Sequence, residues 1–303
     1  MYPLKRILVA LDRSELDETL IKYVANMIGL FEVEHVTFFH VVKSLDLSAK
    51  LAEKYPSLQS PIDSSIKEEI SGKVAKHFKG ACKYDILLQE GNPAQEILNW
   101  SDIREIDLMV VGRKLQLRGR GILPGKLVRT AHCSVLFVPE NFTPGFKKVM
   151  VPIDFSKNAS LALGVAKKFK EMTGAEITLQ NSYQVPWGYH TTGKSFEEFA
   201  EIMKQHAQED ATDFLRKNDI SPDDVNIILT LDEKQDPAER AYEEATKQNI
   251  DLIIMSSRGR TAAANFLMGS VSSKMIQLDA NIPLLIAKNK GENMSFFEAL
   301  MKI

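Results

Sequence analysis

Cysteine is scarce in this chain. Cys82 and Cys133 are the only two among 303 residues. They offer neither metal-ligand spacing nor a disulfide framework, and they read as two unrelated reduced thiols. An excess of either charge is missing too, with 38 Lys and Arg against 40 Asp and Glu. No broad basic field is there to hold nucleic acid, and no basic amphipathic face to lie on a membrane. No apolar run approaches the ~18 residues that span a bilayer. Lys5 and Arg6 precede a short apolar run, but Asp12 and Arg13 end it. That run reads as a first strand rather than a signal peptide, and the expected location is cytoplasmic. Neither the nucleophile elbow G-x-S-x-G nor a Walker A loop occurs. Without a base or a metal clamp, efficient hydrolysis is not supported. His40, His132, His190 and His206 are scattered, with no ligand spacing among them, and read as structural or surface residues.

What is present is a duplication. Ile7-Leu8-Val9-Ala10-Leu11-Asp12-Arg13-Ser14 returns as Val149-Met150-Val151-Pro152-Ile153-Asp154-Phe155-Ser156 at an offset of 142. Asn92-Pro93-Ala94 returns as Asp236-Pro237-Ala238, and Ile106-Asp107-Leu108 as Ile250-Asp251-Leu252, both at an offset of 144. Three patches in one order at nearly one offset are two copies of a whole domain. The expected boundaries are 1–142 and 143–288, joined by the turn-rich Pro139–Gly145 and followed by a tail, 289–303. In the tail, Phe296, Phe297, Leu300 and Met301 share one face of a short helix, suited to docking on its own domain or to a partner.

Each copy alternates strand and helix. Strands are expected at about 5–11, 34–42, 83–89, 107–112 and 134–138, then 147–153, 175–182, 225–231, 251–256 and 283–287. Helices are expected near 15–29, 64–79, 93–104 and 122–131, then 157–172, 195–217, 237–248 and 269–279. Asn92 and Asp236 are natural N-caps, each with proline at the first helical position. Ser14 and Ser156 are candidate caps for the first helix of each copy, and Gly174 marks a helix end. The fourth strands are apolar throughout, as strands buried on both faces are. The fold class is therefore α/β: two doubly wound, Rossmann-like domains, each with a five-stranded parallel sheet.

In such sheets, ligands sit outside the carboxyl ends of the strands where the strand order reverses. In the second copy, three segments end there: Pro152-Ile153-Asp154, Asn181-Ser182 and Met255-Ser256. A loop with Arg258, Gly259 and Arg260 follows the last of these, and Gly269-Ser270-Val271-Ser272 opens a helix. Bare amides at glycine and the positive end of a helix hold phosphate. Ser270 and Ser272 add hydroxyls, and the arginines add charge-assisted contacts. Asp154 suits a ribose hydroxyl or an adenine amino group, and the backbone at Ser182 suits a base edge. Glycine at a strand–helix junction also makes plain tight turns, and either aspartate could merely cap a helix. Trp187-Gly188-Tyr189-His190 sits in the long loop after the second strand, where its aromatics could lie against a base or against the other domain.

The chain resembles a tandem universal stress protein over about residues 1–288. That family's nucleotide motif is glycine, two residues, glycine, nine residues, glycine, then Ser or Thr. Here it reads Ser256, two residues, Gly259, nine residues, Gly269, Ser270, with serine in place of the first glycine. Asp154 falls at the family's adenosine-side aspartate, and Ser182 where a backbone group meets adenine. The first copy departs further: Gly112 is kept, Leu115 replaces the second glycine, and Gly125 is followed by Lys126. Anchoring instead on Ala131–Leu136 puts the helix start at Gly121, with Ile122 and Leu123 at the phosphate-facing end. Asp12 and Val41 keep the adenosine-side positions, and Arg113, Lys114, Arg118 and Arg120 crowd the loop, so a different anion is an alternative to a purely structural half. The resemblance implies an internal pseudo-dimer with the fifth strands meeting, the option of a homodimer, and a stress-response protein that senses or signals. Its cofactor would be ATP or another adenine nucleotide, with or without Mg²⁺, in the C-terminal domain. Two alternatives stand beside it: a scaffold or chaperone-like module without nucleotide, which Ser256 favours, and a weak ATP hydrolase.

Overall fold

The computed structural model describes residues 4–42, 61–79, 82–114, 122–141, 145–259, 268–278 and 280–289. The chain divides into two compact units between Pro144 and Gly145. In the first, strands β1 (Arg6–Leu11), β2 (His35–Val42), β3 (Lys83–Glu90), β4 (Leu108–Arg113) and β5 (Ser134–Pro139) alternate with helices α1 (Leu16–Ile28), α2 (Pro61–His77), α3 (Pro93–Ile103) and α4 (Ile122–Thr130). In the second, β6 (Lys148–Pro152), β7 (Glu176–Tyr183), β8 (Val225–Leu231), β9 (Leu252–Ser256) and β10 (Leu284–Ala287) alternate with α5 (Lys157–Thr173), α6 (Phe196–Lys217), α7 (Pro237–Lys247) and α8 (Ser270–Gln277).

Strand order is β3-β2-β1-β4-β5 in the first unit and β8-β7-β6-β9-β10 in the second. The described ladders within each unit are parallel. The chain winds outward from its first strand, returns, and winds the other way, so the order reverses at β1/β4 and again at β6/β9. The cores follow from the strands. Leu108–Val111 and Leu252–Met255 are all 5% exposed or less. Burying each such side chain contributes about 1.5–3 kcal/mol relative to leaving it in water. Helix α1 adds Leu20, Tyr23, Val24 and Met27 from one face, and α7 adds a stripe of small residues, Ala238, Ala241 and Ala245.

The termini of the helices obey local rules. Asn92 accepts from Gln95 N and Asp236 from Glu239 N, each ahead of a proline. Gly174 ends α5 at φ 71°, where a side chain would be strained. Ser156 caps α5 by accepting from Ala159 N at 3.2 Å. Ser14, expected to do the same for α1, does not. Its hydroxyl turns back to donate to Asp12 Oδ1 at 2.5 Å, and buried Asp17 instead accepts from Asp12 N. The chain turns at this point through left-handed residues in both units, Arg13 (φ 67°) and Phe155 (φ 59°). Two short 3₁₀ turns, Tyr189–Thr192 and Pro222–Asp224, have no periodic signal in the sequence. Gly188 (φ 88°) and Gly193 (φ 74°) bracket the first.

One device recurs at the amino ends of the strands, away from the switch points. Asp107 Oδ2 accepts from Lys5 N and Arg6 N at 3.0 and 2.9 Å. Asp251 Oδ2 accepts from Lys147 N and Lys148 N at 2.8 and 2.9 Å. Each carboxylate ties the start of the fourth strand to the start of the first by charge-assisted bonds.

Candidate functional site

At the switch point the two units differ. β1 and β4 pair over four positions, Ile7↔Leu108 to Ala10↔Val111. β6 and β9 pair over two, Val149↔Leu252 and Met150↔Ile253. The reason lies in Pro152. In a parallel strand, alternate residues turn their N–H and C=O to opposite neighbours. Ile153 N donates to Gln180 O of β7 at 2.8 Å, so residue 152 faces β9. Proline has no N–H to give there, and the ladder stops. Ala10 holds that position in the first unit and keeps its donor. The hydrogen-bonded ladder of the second unit therefore stops short of the carboxyl ends of β6 and β9.

The loop after β9 lies just beyond the end of that ladder. Gly269 N donates to Ser257 O at 2.9 Å. A Cβ on Gly269 would lie 3.3 Å from Gly259 N, and one on Gly259 would lie 2.9 Å from Asp154 Oδ2. Both glycines are demanded by close approach rather than by left-handed backbone: Gly269 sits at φ −60°, and neither appears among the glycines with positive φ. The start of α8 thus packs closely on the Gly259 amide, and Gly259 leaves no room for a side chain beside the Asp154 carboxylate. Asp154 Oδ1 also accepts from Ser156 N at 3.1 Å. Asn158, from the first turn of α5, donates to Gly259 O at 3.4 Å and steadies the loop.

The serines divide their work. Ser270 is exposed at the first position of α8, where its hydroxyl can meet an anion. Ser272, expected to do likewise, is 3% exposed and donates to Ser256 O at 2.9 Å, so it ties the helix to the strand. Ser256 Oγ donates to Arg258 O at 2.6 Å, which folds it into the loop's own backbone. Its φ is not positive, so serine carries no backbone strain here. Sterics explain the glycine of the first unit. A Cβ at Gly112, the matching glycine of the first unit, would lie 2.4 Å from Leu16 Cδ2. Asn158 holds the position of Leu16 in the second unit, and its side chain donates to Gly259 O at 3.4 Å.

In the first unit Leu16 roofs Gly112, and Lys114 pairs with Asp12 at 2.5 Å. Burial pushes the Asp12 carboxyl up, but hydrogen bonds from Lys114 and Ser14 outweigh it and hold it below the usual aspartate range. The carboxylate that matches Asp154 is thus engaged by its own chain. Asp17 is 1% exposed, and burial holds its carboxyl above the usual range although Lys73 stands 3.3 Å away. Arg118, Arg120, Leu115 and Gly121 lie outside the described residues, as do Arg260 and the tail from 290 onward.

On the far side of β6, Asn181 Nδ2 donates to Ile153 O at 2.8 Å. In the first unit His40 Nδ1 makes the equivalent bond to Leu11 O at 2.8 Å, a structural role for that histidine. Ser182 follows Asn181 and is half-buried. Pro152, Ile153, Asp154, Met255, Ser256, Arg258 and Gly259 lie at the carboxyl ends of β6 and β9 and just beyond, Gly269, Ser270, Val271 and Ser272 at the start of α8, and Ser182 near the end of β7 one strand away; Ile153, Met255 and Ser272 among them are buried. Sequence reasoning missed Asn158; its signal was the exchange of Leu16 for a side-chain amide at the matching position. It also treated Pro152 as a lining residue, whereas its consequence is the broken ladder. Among the described residues, no three His, Cys, Asp or Glu side chains cluster as a metal cage. No helix among the described residues is long and apolar enough to cross a membrane.

A parallel sheet with a glycine-lined loop, a helix start and a strand-end carboxylate at its switch point defines a doubly wound, Rossmann-like domain. Its duplication in one polypeptide narrows the class. The profile of the Universal stress protein family matches residues 3–139 and 145–288, and the chain belongs to that family. Universal stress protein MJ0577 of Methanocaldococcus jannaschii is 29% identical over 163 residues, 48% of this chain and 97% of that protein. A universal stress protein from Archaeoglobus fulgidus shares the fold at a TM-score of 0.62 and 18% identity, covering 95% of this chain and 99% of that one. A family protein from Arabidopsis thaliana, solved with AMP bound, is 15% identical over 45% of this chain and 92% of its own, at a TM-score of 0.31.

Proposed function

We propose that the second unit binds an adenine nucleotide and that the protein senses or signals through that binding. The observation that carries this reading is the close approach of Gly269 to the Gly259 amide, and of Gly259 to the Asp154 carboxylate, at the switch point. Phosphates would lie on the Gly259 amide and the start of α8, with Ser270 donating to them. The ribose would lie at Asp154. The first unit, with Lys114 on Asp12 and Leu16 over Gly112, is read as the structural partner. Calorimetry with AMP, ADP and ATP, with and without Mg²⁺, tests the reading. Saturable heat is expected; its absence at millimolar nucleotide would sink it.

A second reading, a partner-binding scaffold, is favoured by one feature. Trp187 is 90% exposed on a turn held by the Tyr189 ring against Phe196 and Phe199. Absence of nucleotide heat, together with a partner lost on Trp187→Ala, would select it.

A further inference from the structure

Helix α6 starts about three turns before it reaches the core. Its buried residues are Ala207, Ala211, Phe214 and Leu215. Ahead of them come Phe196, Phe199, Ile202 and Met203, none of which is buried. At 100° per residue these four share one face of the helix. Ile202 is 41% exposed. The preceding turn adds aromatic surface to that face. Tyr189 stands edge-on to Phe196 at 5.7 Å and tilted against Phe199 at 6.4 Å, and Trp187, two residues earlier, is 90% exposed. The turn is built rather than loose. Gly188 and Gly193 hold it in left-handed backbone, and the reciprocal Ser195–Glu198 capping box fixes the start of α6. An indole left in water beside a row of uncovered apolar side chains marks a contact surface.

The topology supplies an occupant. Strand β10 ends at Ala287, and residues 290–303 follow the described chain. The ladders joining β7, β6, β9 and β10 are parallel, so the exit from β10 and the turn after β7 lie at the same end of the sheet. Three strand spacings separate them in the order β7-β6-β9-β10, about 14 Å in all. The chain from Lys290 to Phe296 reaches about 23 Å when extended, which is ample. Beyond it, Phe296 and Leu300, and Phe297 and Met301, repeat at the four-residue spacing of a helix face, with Glu298 and Lys302 opposite. A tethered segment within reach acts at an effective concentration of about millimolar, which favours it over a free partner.

We propose that the C-terminal tail docks on the first half of α6, with Phe296, Phe297, Leu300 and Met301 covering Trp187, Phe199 and Ile202 of the same chain. The docking is independent of the nucleotide reading. It bears on the scaffold reading, because a partner at Trp187 would first have to displace the tail.

The test uses the full chain. Trp100 and Trp187 are its two tryptophans, so Trp100→Phe leaves Trp187 as the sole reporter. Its emission should be blue-shifted and poorly quenched by acrylamide. Adding Phe297→Ser and Leu300→Ser should shift the emission to that of a free indole and raise quenching severalfold. Hydrogen exchange reads the same contact from the other side, with no change to either tryptophan. The amides of 296–301 should be protected at least about tenfold, and Ile202→Asp should remove that protection. A Trp187 quenched like a free indole with the native tail overturns the inference. So does a shielded Trp187 that the tail substitutions leave unchanged, which would mean that something else covers it. Shielding that fades on dilution would assign the tail to a second copy and overturns docking within the chain. Nucleotide binding is read separately by calorimetry, and none of these outcomes decides it.

Discussion

Gly269→Ala tests the cradle at its tightest point. The added Cβ would lie 3.3 Å from Gly259 N and 3.6 Å from Arg258 Cα. These neighbours are backbone, so they yield only by tenths of an ångström, and the fold survives. Alanine at this N-cap position costs up to about 1 kcal/mol. The methyl also stands over the amide that phosphate would use. Losing one charge-assisted hydrogen bond removes about 1.5–3 kcal/mol of binding, which is roughly ten- to hundredfold in Kd. The assay compares ATP and adenosine by calorimetry on wild type and variant. ATP should weaken by that factor, while adenosine, which lacks phosphate, should change little. Equal ATP affinity in the two proteins would show that phosphate does not lie on the Gly259 amide, and the cradle argument would fall.

Gly112→Ala is the matched control in the first unit: the Cβ meets Leu16 Cδ2 at 2.4 Å, so overpacking should cost about 1–3 kcal/mol in urea unfolding. Nucleotide affinity should be unchanged, and a second change, Leu16→Ala, should recover part of the stability; no loss on Gly112→Ala would contradict the roofing of that glycine. Asp236→Asn keeps the N-cap but removes the ion pair with Lys274. Burial raises the Asp236 carboxyl, Lys274 and the Glu239 amide outweigh it, and the net position is below the usual range. The folded state thus releases this proton more readily than the unfolded chain, so the stability is present above about pH 4 and is lost on acidification below it. Wild type should exceed Asp236→Asn by about 0.5–1 kcal/mol at pH 7, discounted for the exposed lysine, and the gap should shrink as the carboxylate is protonated on acidification. A gap independent of pH would assign the difference to something other than the ion pair.

Much of this molecule was legible in the sequence because its signals are local. The repeat at 142–144 residues, the apolar runs Leu108–Val111 and Leu252–Met255, and the Asn92 and Asp236 caps each depend on neighbours a few positions away. Such signals specify ten strands, eight helices and the duplicated α/β class, since hydrophobic period and capping chemistry are properties of short segments. The spacing from Ser256 through Gly259 to Gly269 likewise marked the loop end that packs on the start of α8. What the tertiary structure alone decided depends on residues far apart in the chain. Pro152 ends the β6–β9 ladder only because residue 152 faces β9 and not β7. Gly112 must be glycine because Leu16 covers it, whereas Asn158 holds that position in the second unit. Ser14 loses its cap because Asp12 and Asp17 take part in one hydrogen-bonded turn. Thr230 stands beside Ser182 only through the register of β7 and β8. Contacts of this kind are set when strands align across a sheet, a step that no local pattern encodes.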